Sequence, residues 1–148
     1  MTDSSTPNET QLKEMTKLAN QVKENSYSPY SHFRVGAVVL SESGSYYCGT
    51  NVENACYSLT VCAERAAIFH AVATEGDKFK MAAILVTTDI EKECKWCCGA
   101  CGSVILEFGE DIPVFSVPAN SEQYQMKRIR ELLPFAFSKA TLDAASSK

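Results

Sequence analysis

The sequence lacks long apolar runs and has no excess of basic residues. No stretch approaches the roughly 18 apolar residues of a membrane-spanning helix, and the opening MTDSSTPNET is polar with no apolar segment behind it. We therefore expect no membrane partner, no secretory leader and a cytoplasmic location. The net charge of −4 argues against binding nucleic acid, because that requires Lys and Arg to neutralise phosphates. A small-molecule ligand is favoured instead.

Histidine is scarce and cysteine abundant, with two histidines and seven cysteines in 148 residues. In a secreted protein this count would indicate a disulfide framework; without a leader it favours metal binding or catalysis. The chain is long enough to bury a core without disulfides. We expect a single domain spanning residues 1–148, with about 1–8 and 144–148 flexible.

Alternating helix and strand patterns predict an α/β domain with helices on both faces of a sheet. The first helix should span about 7–24, with Thr6 as its cap. The predicted strands are 33–40, a segment from Tyr46, 81–88, 113–117 and 124–127. The other predicted helices begin near Thr60, at Cys98 and at Arg128, and end at Gly76, Gly109 and Pro134.

The segment KWCCGACG, with the cysteine before it, contains two candidates for a metal-binding C-x-x-C pair, Cys94/Cys97 and Cys98/Cys101. The second pair is favoured, because small residues separate its cysteines and an apolar helical face continues beyond it. With one cysteine at the helix entrance and the other a turn later, both sulfurs can point at one ion. Cys97 is then a packed neighbour.

A zinc site needs at least a third ligand, and Cys62 is the best candidate. We place it in the first turn of its helix, where the helix dipole favours a thiolate. Glu64 follows two residues later and could carry protons for a zinc ion with one open position. A closed structural site, with Cys94 or a histidine as fourth ligand, is equally compatible with the spacing.

Five segments together resemble the small homotetrameric zinc-dependent cytidine deaminases: YSPYSHFRVGAVV, GTNVENACY, CAERAAI, CGACGSVILEFG and ELLPFAF. The resemblance covers the chain in order from about Tyr27 to Phe137. It implies a three-layer α/β/α sandwich with a mixed, roughly five-stranded sheet. Zinc deaminases use a zinc-activated water and a glutamate that is not a ligand.

The resemblance also implies the reaction and its residues. One zinc ion per subunit would be bound by Cys62, Cys98 and Cys101, while Glu64 moves protons. The reaction would convert free cytidine and deoxycytidine into uridine and deoxyuridine with release of ammonia, as in pyrimidine salvage.

By the same resemblance, substrate contacts and assembly can be assigned. The implied substrate-binding residues are Phe33, Asn51, Glu53, Tyr57, Ala63 and Phe137. Asn51 and Glu53 would bind the ribose hydroxyls, and Phe33 would pack on the base. Phe137 would come from a neighbouring subunit of a homotetramer, with active sites at the subunit junctions. Arg65 would donate to the thiolates.

The chain departs from the family pattern around its second cysteine pair. Cys97 stands where the family has Pro, Gly102 where it has Arg and Ser103 where it has Gln. Residues that surround metal ligands orient them and moderate their charge. These changes therefore bear on the reaction rate and on metal affinity rather than on the resemblance to the family.

Three other functions compete with a free-nucleoside deaminase. The first is a catalytically weakened, zinc-stabilised, deaminase-like binding or assembly protein, favoured by the missing Arg and Gln. The second is a polynucleotide deaminase, disfavoured by the acidic charge balance. The third is a cysteine nucleophile, for which no Cys–His arrangement stands out.

Overall fold

The computed structural model describes residues 6–146. The strands in this range form one mixed five-stranded sheet. The strands are β1 (Val35–Ser41), β2 (Tyr46–Thr50), β3 (Met81–Thr88), β4 (Pro113–Val117) and β5 (Gln125–Arg128). Their order across the sheet is β2-β1-β3-β4-β5. Among these strands only β3 and β4 pair in parallel. The predicted five-stranded mixed sheet is confirmed.

Helices cover both faces of the sheet. The helices in the described part of the chain are α1 (Glu9–Lys23), α2 (Ala63–Glu75), α3 (Gly99–Glu107), α4 (Ile129–Leu132) and α5 (Lys139–Ser146). Successive side chains of a strand point to opposite faces, so Val38 packs with Met15 of α1, while Val39 packs with Ile68 of α2 and Ile105 of α3. The three-layer α/β/α arrangement is therefore confirmed.

Of the element boundaries that differ from the sequence prediction, those of α1 and β1 have clear local reasons. Asn8, not Thr6, caps α1: its side chain accepts from the Gln11 N–H at 2.9 Å, and the Gln11 side chain accepts from the Asn8 N–H at 2.9 Å. The first strand begins at Val35 rather than at Phe33, because side chains, not a neighbouring strand, bind the backbone of Phe33.

A glycine lets β2 lie unusually close to α2. A Cβ atom at Gly49 would lie 2.2 Å from the amide nitrogen of Ala67 and 2.5 Å from the carbonyl oxygen of Ala63. These distances are shorter than any van der Waals contact, so the helix can occupy this position only over a glycine. The N-terminus of α2, which carries the predicted site residues, is thereby set against the sheet.

The chain ends add one element that the sequence did not predict. Helix α5 contains residues 144–146, and Asn8 caps α1; the flexibility expected of these residues stays a prediction. The remainder of that expectation, for residues 1–5 and 147–148, lies outside the described residues. Within residues 6–146, no helix combines the length and the apolar character needed to cross a lipid bilayer.

Candidate metal and substrate site

Two helix N-termini bring three cysteines together. Cys98 is the N-cap of α3, and Cys101 lies in the first turn of that helix. Cys62 is the N-cap of α2, one position before the first turn in which we expected it. The partial positive charge of a helix N-terminus stabilises a thiolate. Both helices therefore direct their N-terminal ends at the group of three cysteines.

The three sulfur atoms have the spacing that a zinc ion requires. All three lie within 4.8 Å of one another, and the Cys62 and Cys98 sulfurs are 3.9 Å apart. Tetrahedral Zn²⁺ with Zn–S bonds of about 2.3 Å places two sulfurs about 3.8 Å apart. The cluster formed by Cys62, Cys98 and Cys101 fits one zinc ion.

No fourth protein ligand joins this cluster within residues 6–146. The Cys94 thiol donates instead to the carbonyl oxygen of Ser116 at 3.2 Å, and the Nδ1 atom of His70 lies 3.2 Å from the carbonyl oxygen of Cys48. These candidates for a closed site are thus engaged elsewhere. Three thiols with an open fourth position are typical of a catalytic zinc site.

Glu64 is buried beside the thiols. The residue is only 5% exposed, and its Oε2 atom is 3.8 Å from the Cys101 sulfur. Burial raises the pKa of this carboxyl, and the nearby Cys62 thiolate raises it further. A raised pKa makes this carboxylate a stronger base, as a group that carries protons requires.

The thiols of the cluster differ in their pKa. Hydrogen bonding from Cys101, with a smaller contribution from Arg65, lowers the pKa of Cys62 to about 5, while the same interaction raises the pKa of Cys101. Arg65 places its Nη2 atom 3.7 Å from the Cys62 sulfur and 3.3 Å from the carbonyl oxygen of Thr60. The guanidinium thus lies where it offsets thiolate charge.

Cys97 does not belong to the thiol cluster. It packs, with Trp96, against the hydrophobic core that contains residues of α2 and α3, and burial raises the pKa of its thiol to about 12. Its sulfur is not among the three that lie within 4.8 Å of one another. The structure therefore places Cys97 as the packed neighbour that the sequence predicts.

A cavity of about 540 Å³ opens beside the cluster. This volume lies within the usual range for small-molecule sites. It contains the following predicted site residues: Phe33, Asn51, Glu53, Tyr57, Cys62, Glu64 and Cys98. Metal ligands, a buried carboxyl and the predicted ribose-binding and base-binding side chains thus meet in one space.

Four predicted site residues do not line this cavity: Cys101, Ala63, Phe137 and Arg65, whose guanidinium lies beside the Cys62 sulfur. Cys101 and Ala63 are fully buried; Cys101 reaches the site through its sulfur in the cluster, and Ala63 can contribute only its backbone. Phe137 is 70% exposed and lies outside the cavity of its own chain. Its predicted contact would have to be made with another subunit.

The cavity also contains residues that the sequence prediction missed. They are Tyr30, Ser31, Val35, Thr60, Val86, Thr88, Lys95 and Trp96. Thr88 ends β3, and ligands of open α/β sheets often bind beyond the carboxyl ends of strands, so its position was a usable signal. Trp96 lies two residues before Cys98, but nothing in the sequence shows which way an isolated aromatic residue points.

The comparisons with known proteins agree with this geometry. Residues 9–116 match the family model for the cytidine and deoxycytidylate deaminase zinc-binding region. The chain is 39% identical over 131 residues to a cytidine deaminase of Sporosarcina psychrophila, covering 88% of this chain and 93% of the relative. It is 36% identical over 141 residues to a probable cytidine deaminase of Dictyostelium discoideum, covering 95% of this chain and 93% of that relative.

Solved structures give the same result. The crystal structure of cytidine deaminase from Burkholderia pseudomallei superimposes with a TM-score of 0.76 at 35% identity, covering 84% of this chain and 98% of that one. The family model and the curated relatives each extend over most of the sequence. This chain belongs to the cytidine and deoxycytidylate deaminase family.

Proposed function

We propose that this protein hydrolyses the exocyclic amine of free cytidine and deoxycytidine, giving uridine or deoxyuridine and ammonia. The observation that carries the proposal is the meeting of a buried carboxyl, Glu64, with a three-thiol cluster in one cavity. Family membership supplies the reaction class, and the curated relatives are named cytidine deaminase or probable cytidine deaminase.

The metal site supplies the activation of water. Cys62, Cys98 and Cys101 would hold one zinc ion, and zinc with an open position acts as a Lewis acid that makes water nucleophilic near neutral pH. Arg65 offsets the negative charge of the thiolates, since its guanidinium lies beside Cys62. This compensation matters because Gly102 has no side chain and the Ser103 hydroxyl donates to the carbonyl oxygen of Gly99 at 3.0 Å.

Glu64 moves protons between water and substrate. Its burial raises its pKa, so the carboxylate can accept a proton from the attacking water and deliver it to N3 of the pyrimidine. The remaining proton of the attacking water is then transferred to the exocyclic nitrogen, so that the C4–N bond breaks, ammonia leaves and the C4 carbonyl forms. Because Glu64 is not needed as a ligand, its proton affinity is set by burial and by neighbouring charge.

The cavity walls bind and orient the nucleoside. Phe33 would pack on the pyrimidine, while Asn51 and Glu53 would bind the ribose hydroxyls, and the backbone at Ala63 would read the base. Tyr57 lines the same cavity. An acidic side chain at the ribose end disfavours a 5′-phosphate or a polynucleotide, in agreement with the net charge of −4.

We infer further that the active protein is a homotetramer with sites at subunit junctions. Phe137 is 70% exposed, Phe135 is fully exposed and Tyr57 is 73% exposed. Large exposed apolar surfaces of this kind usually mark protein interfaces. A neighbouring subunit would cover them and supply Phe137 to the open side of the cavity.

The proposal is tested with purified protein whose zinc content per chain has been measured. The conversion of cytidine and of deoxycytidine is followed by the loss of substrate absorbance and by ammonia release. A cytosine-containing single-stranded oligonucleotide is assayed in parallel for deamination. We expect both nucleosides to react and the oligonucleotide to remain intact. Zinc-loaded, folded protein that binds cytidine without converting it would instead identify a deaminase-like binding protein.

A further inference from the structure

The hydroxyl of Ser31 joins a predicted ribose-binding residue to a predicted base-binding residue. It donates to Oε1 of Glu53 at 2.7 Å and accepts from the backbone N–H of Phe33 at 3.1 Å. The backbone N–H of Ser31 also donates to the Glu53 carboxylate, at 3.2 and 3.3 Å to its two oxygens. One residue therefore fixes both the carboxylate of Glu53 and the main chain of Phe33.

The segment that carries Phe33 has no strand partner to hold it in place. His32 adopts a left-handed conformation with φ of 55°, and its N–H donates to the carbonyl oxygen of Ser28 at 3.0 Å. The chain turns sharply there and enters β1 only at Val35. The position of Phe33 consequently depends on side-chain hydrogen bonds to its backbone.

Asn51 holds the other side of the same segment. Its Nδ2 atom donates to the carbonyl oxygen of Phe33 at 2.8 Å, and its Oδ1 atom accepts from the N–H of Val35 at 2.9 Å. Asn51 is a buried residue, 8% exposed. Both predicted ribose-binding residues thus hold the Phe33 segment, Asn51 directly and Glu53 through Ser31.

We propose that Ser31 is a positioning residue that couples ribose recognition by Glu53 to the placement of Phe33 on the base. This inference rests on the proposed function, since it concerns how that site binds a nucleoside. Ser31 aims the carboxylate and anchors the aromatic residue, whereas its hydrogen bonds do not reach Glu64 or the thiols. Its effect belongs to substrate binding and not to proton transfer.

The test compares Ser31→Ala and Ser31→Thr with the wild type. We expect Ser31→Ala to raise KM for cytidine about tenfold, as for the loss of a hydrogen bond to a charged group, and to leave kcat within about twofold. Threonine keeps the hydroxyl, and Ser31 is exposed, so Ser31→Thr should recover most of the affinity.

A second substrate separates positioning from general stability. 2′,3′-Dideoxycytidine lacks the hydroxyls that Glu53 would bind, so the preference for cytidine over this analogue should fall in Ser31→Ala. Ser43→Ala is the matched control, because the Ser43 hydroxyl also donates to a carboxylate, Oε1 of Glu75, at 2.7 Å, in a turn away from the cavity. It should leave KM and the preference unchanged.

The outcomes separate the inference from the function on which it rests. Absence of cytidine turnover in the zinc-loaded wild type would overturn the proposed function and this inference with it. The inference alone would be overturned if the wild type converts cytidine and Ser31→Ala has the same KM and the same preference for cytidine over 2′,3′-dideoxycytidine as the wild type. Equal losses for both substrates, accompanied by a lower melting temperature, would show Ser31 to be merely structural and would also overturn it.

Discussion

In the proposed mechanism, Glu64 carries protons and does not bind the metal. Replacing it with Gln preserves its size while removing the proton that can be exchanged, so Glu64→Gln should retain zinc and melting temperature. We expect kcat to fall by about 10²–10⁴-fold or more, the usual contribution of general acid–base catalysis. The measurements are zinc per chain, thermal unfolding and steady-state turnover of cytidine.

The control for this variant is Glu42→Gln, a substitution of an exposed glutamate in the turn after β1. It should leave turnover unchanged. Near-normal turnover in zinc-loaded Glu64→Gln would remove Glu64 from the proposed mechanism.

Adjacent cysteines offer a second test at the scale of the residue. Cys98 belongs to the three-sulfur cluster, whereas Cys97 is packed against the core with its pKa raised to about 12. Cys98→Ala should therefore lose most of the bound zinc, and Cys97→Ala should keep it at the cost of some stability. Metal analysis after dialysis against a weak chelator measures the difference. Equal zinc content in the two variants would show that the register of ligands is wrong.

Local geometry explains which of these residues the sequence could predict. Cysteines at positions i and i+3 of a helix lie on one side, so the Cys98/Cys101 pair follows from spacing and a helix start. Trp96 lines the same cavity because of the conformation of its loop, which depends on distant parts of the chain. The sequence prediction therefore missed residues whose place in the cavity is set by tertiary contacts.

At the scale of the element, the position of α2 depends on its contact with β2. The Cβ atom of Gly49→Ala would overlap the backbone of α2, which cannot yield as a flexible side chain would. Overpacking of a core typically costs about 1–3 kcal/mol, and the shifted N-terminus would also move Cys62 and Glu64. We expect a lower free energy of unfolding together with weaker zinc retention, measured by denaturant titration and metal analysis.

Gly99→Ala supplies the matched comparison. A Cβ atom at Gly99 would meet no atom within 4 Å, although this residue lies between two predicted zinc ligands. This variant should keep both stability and zinc. A Gly49→Ala variant as stable and zinc-loaded as Gly99→Ala would contradict the close approach of β2 and α2.

The C-terminal end of α2 is joined to the β1–β2 turn by a carboxylate. Glu75 accepts hydrogen bonds from Ser43 at 2.7 Å, Tyr47 at 2.8 Å and Ser41 at 2.9 Å. The hydrogen bond from Ser43, aided by those from Tyr47 and Ser41 and opposed by burial, holds the pKa of Glu75 below its ordinary value. The folded state therefore favours the ionised form.

This lowered pKa predicts a pH-dependent contribution to stability. A group whose pKa is lower in the folded state stabilises it above the unfolded pKa, about 4.3 for Glu, and loses that contribution as pH falls through the folded pKa. The stability difference between wild type and Glu75→Gln should thus narrow between about pH 5 and pH 3. Urea titrations at matched metal content would measure it, and a difference independent of pH would contradict the prediction.

The sequence predicted the boundaries of those elements whose apolar pattern is buried in the hydrophobic core. The segments 81–88 and 113–117 coincide with β3 and β4, because both strands are buried and read as apolar runs. Helix α5 (Lys139–Ser146) spans only eight residues and has no buried residue. So short a segment contains too few turns for its periodicity to predict a helix.

At the scale of the whole molecule, the exposed apolar side chains bear on assembly. Phe135, Phe137 and Leu142 all lie in the C-terminal part of the chain and are more than half exposed. Isolated apolar residues on a surface are ordinary, but several large ones on one segment need a partner. The sequence alone could not predict this exposure, because burial depends on how the C-terminal segment lies on the core.

Mixing two inactive variants tests whether Phe137 completes a neighbour's site. Sites that contain Glu64→Gln cannot move protons, and sites that receive Phe137→Ala bind cytidine weakly. In a hybrid, a subunit with intact Glu64 can receive Phe137 from a Glu64→Gln neighbour.

Random assembly of equal amounts should restore about a quarter of the sites, because half of the sites have an intact Glu64 and half of those receive an intact Phe137. Co-expression with two different tags, tandem purification of hybrids and turnover at cytidine concentrations below the KM of Phe137→Ala provide the measurement. Hybrids no more active than the sum of their parents would show that each chain completes its own site.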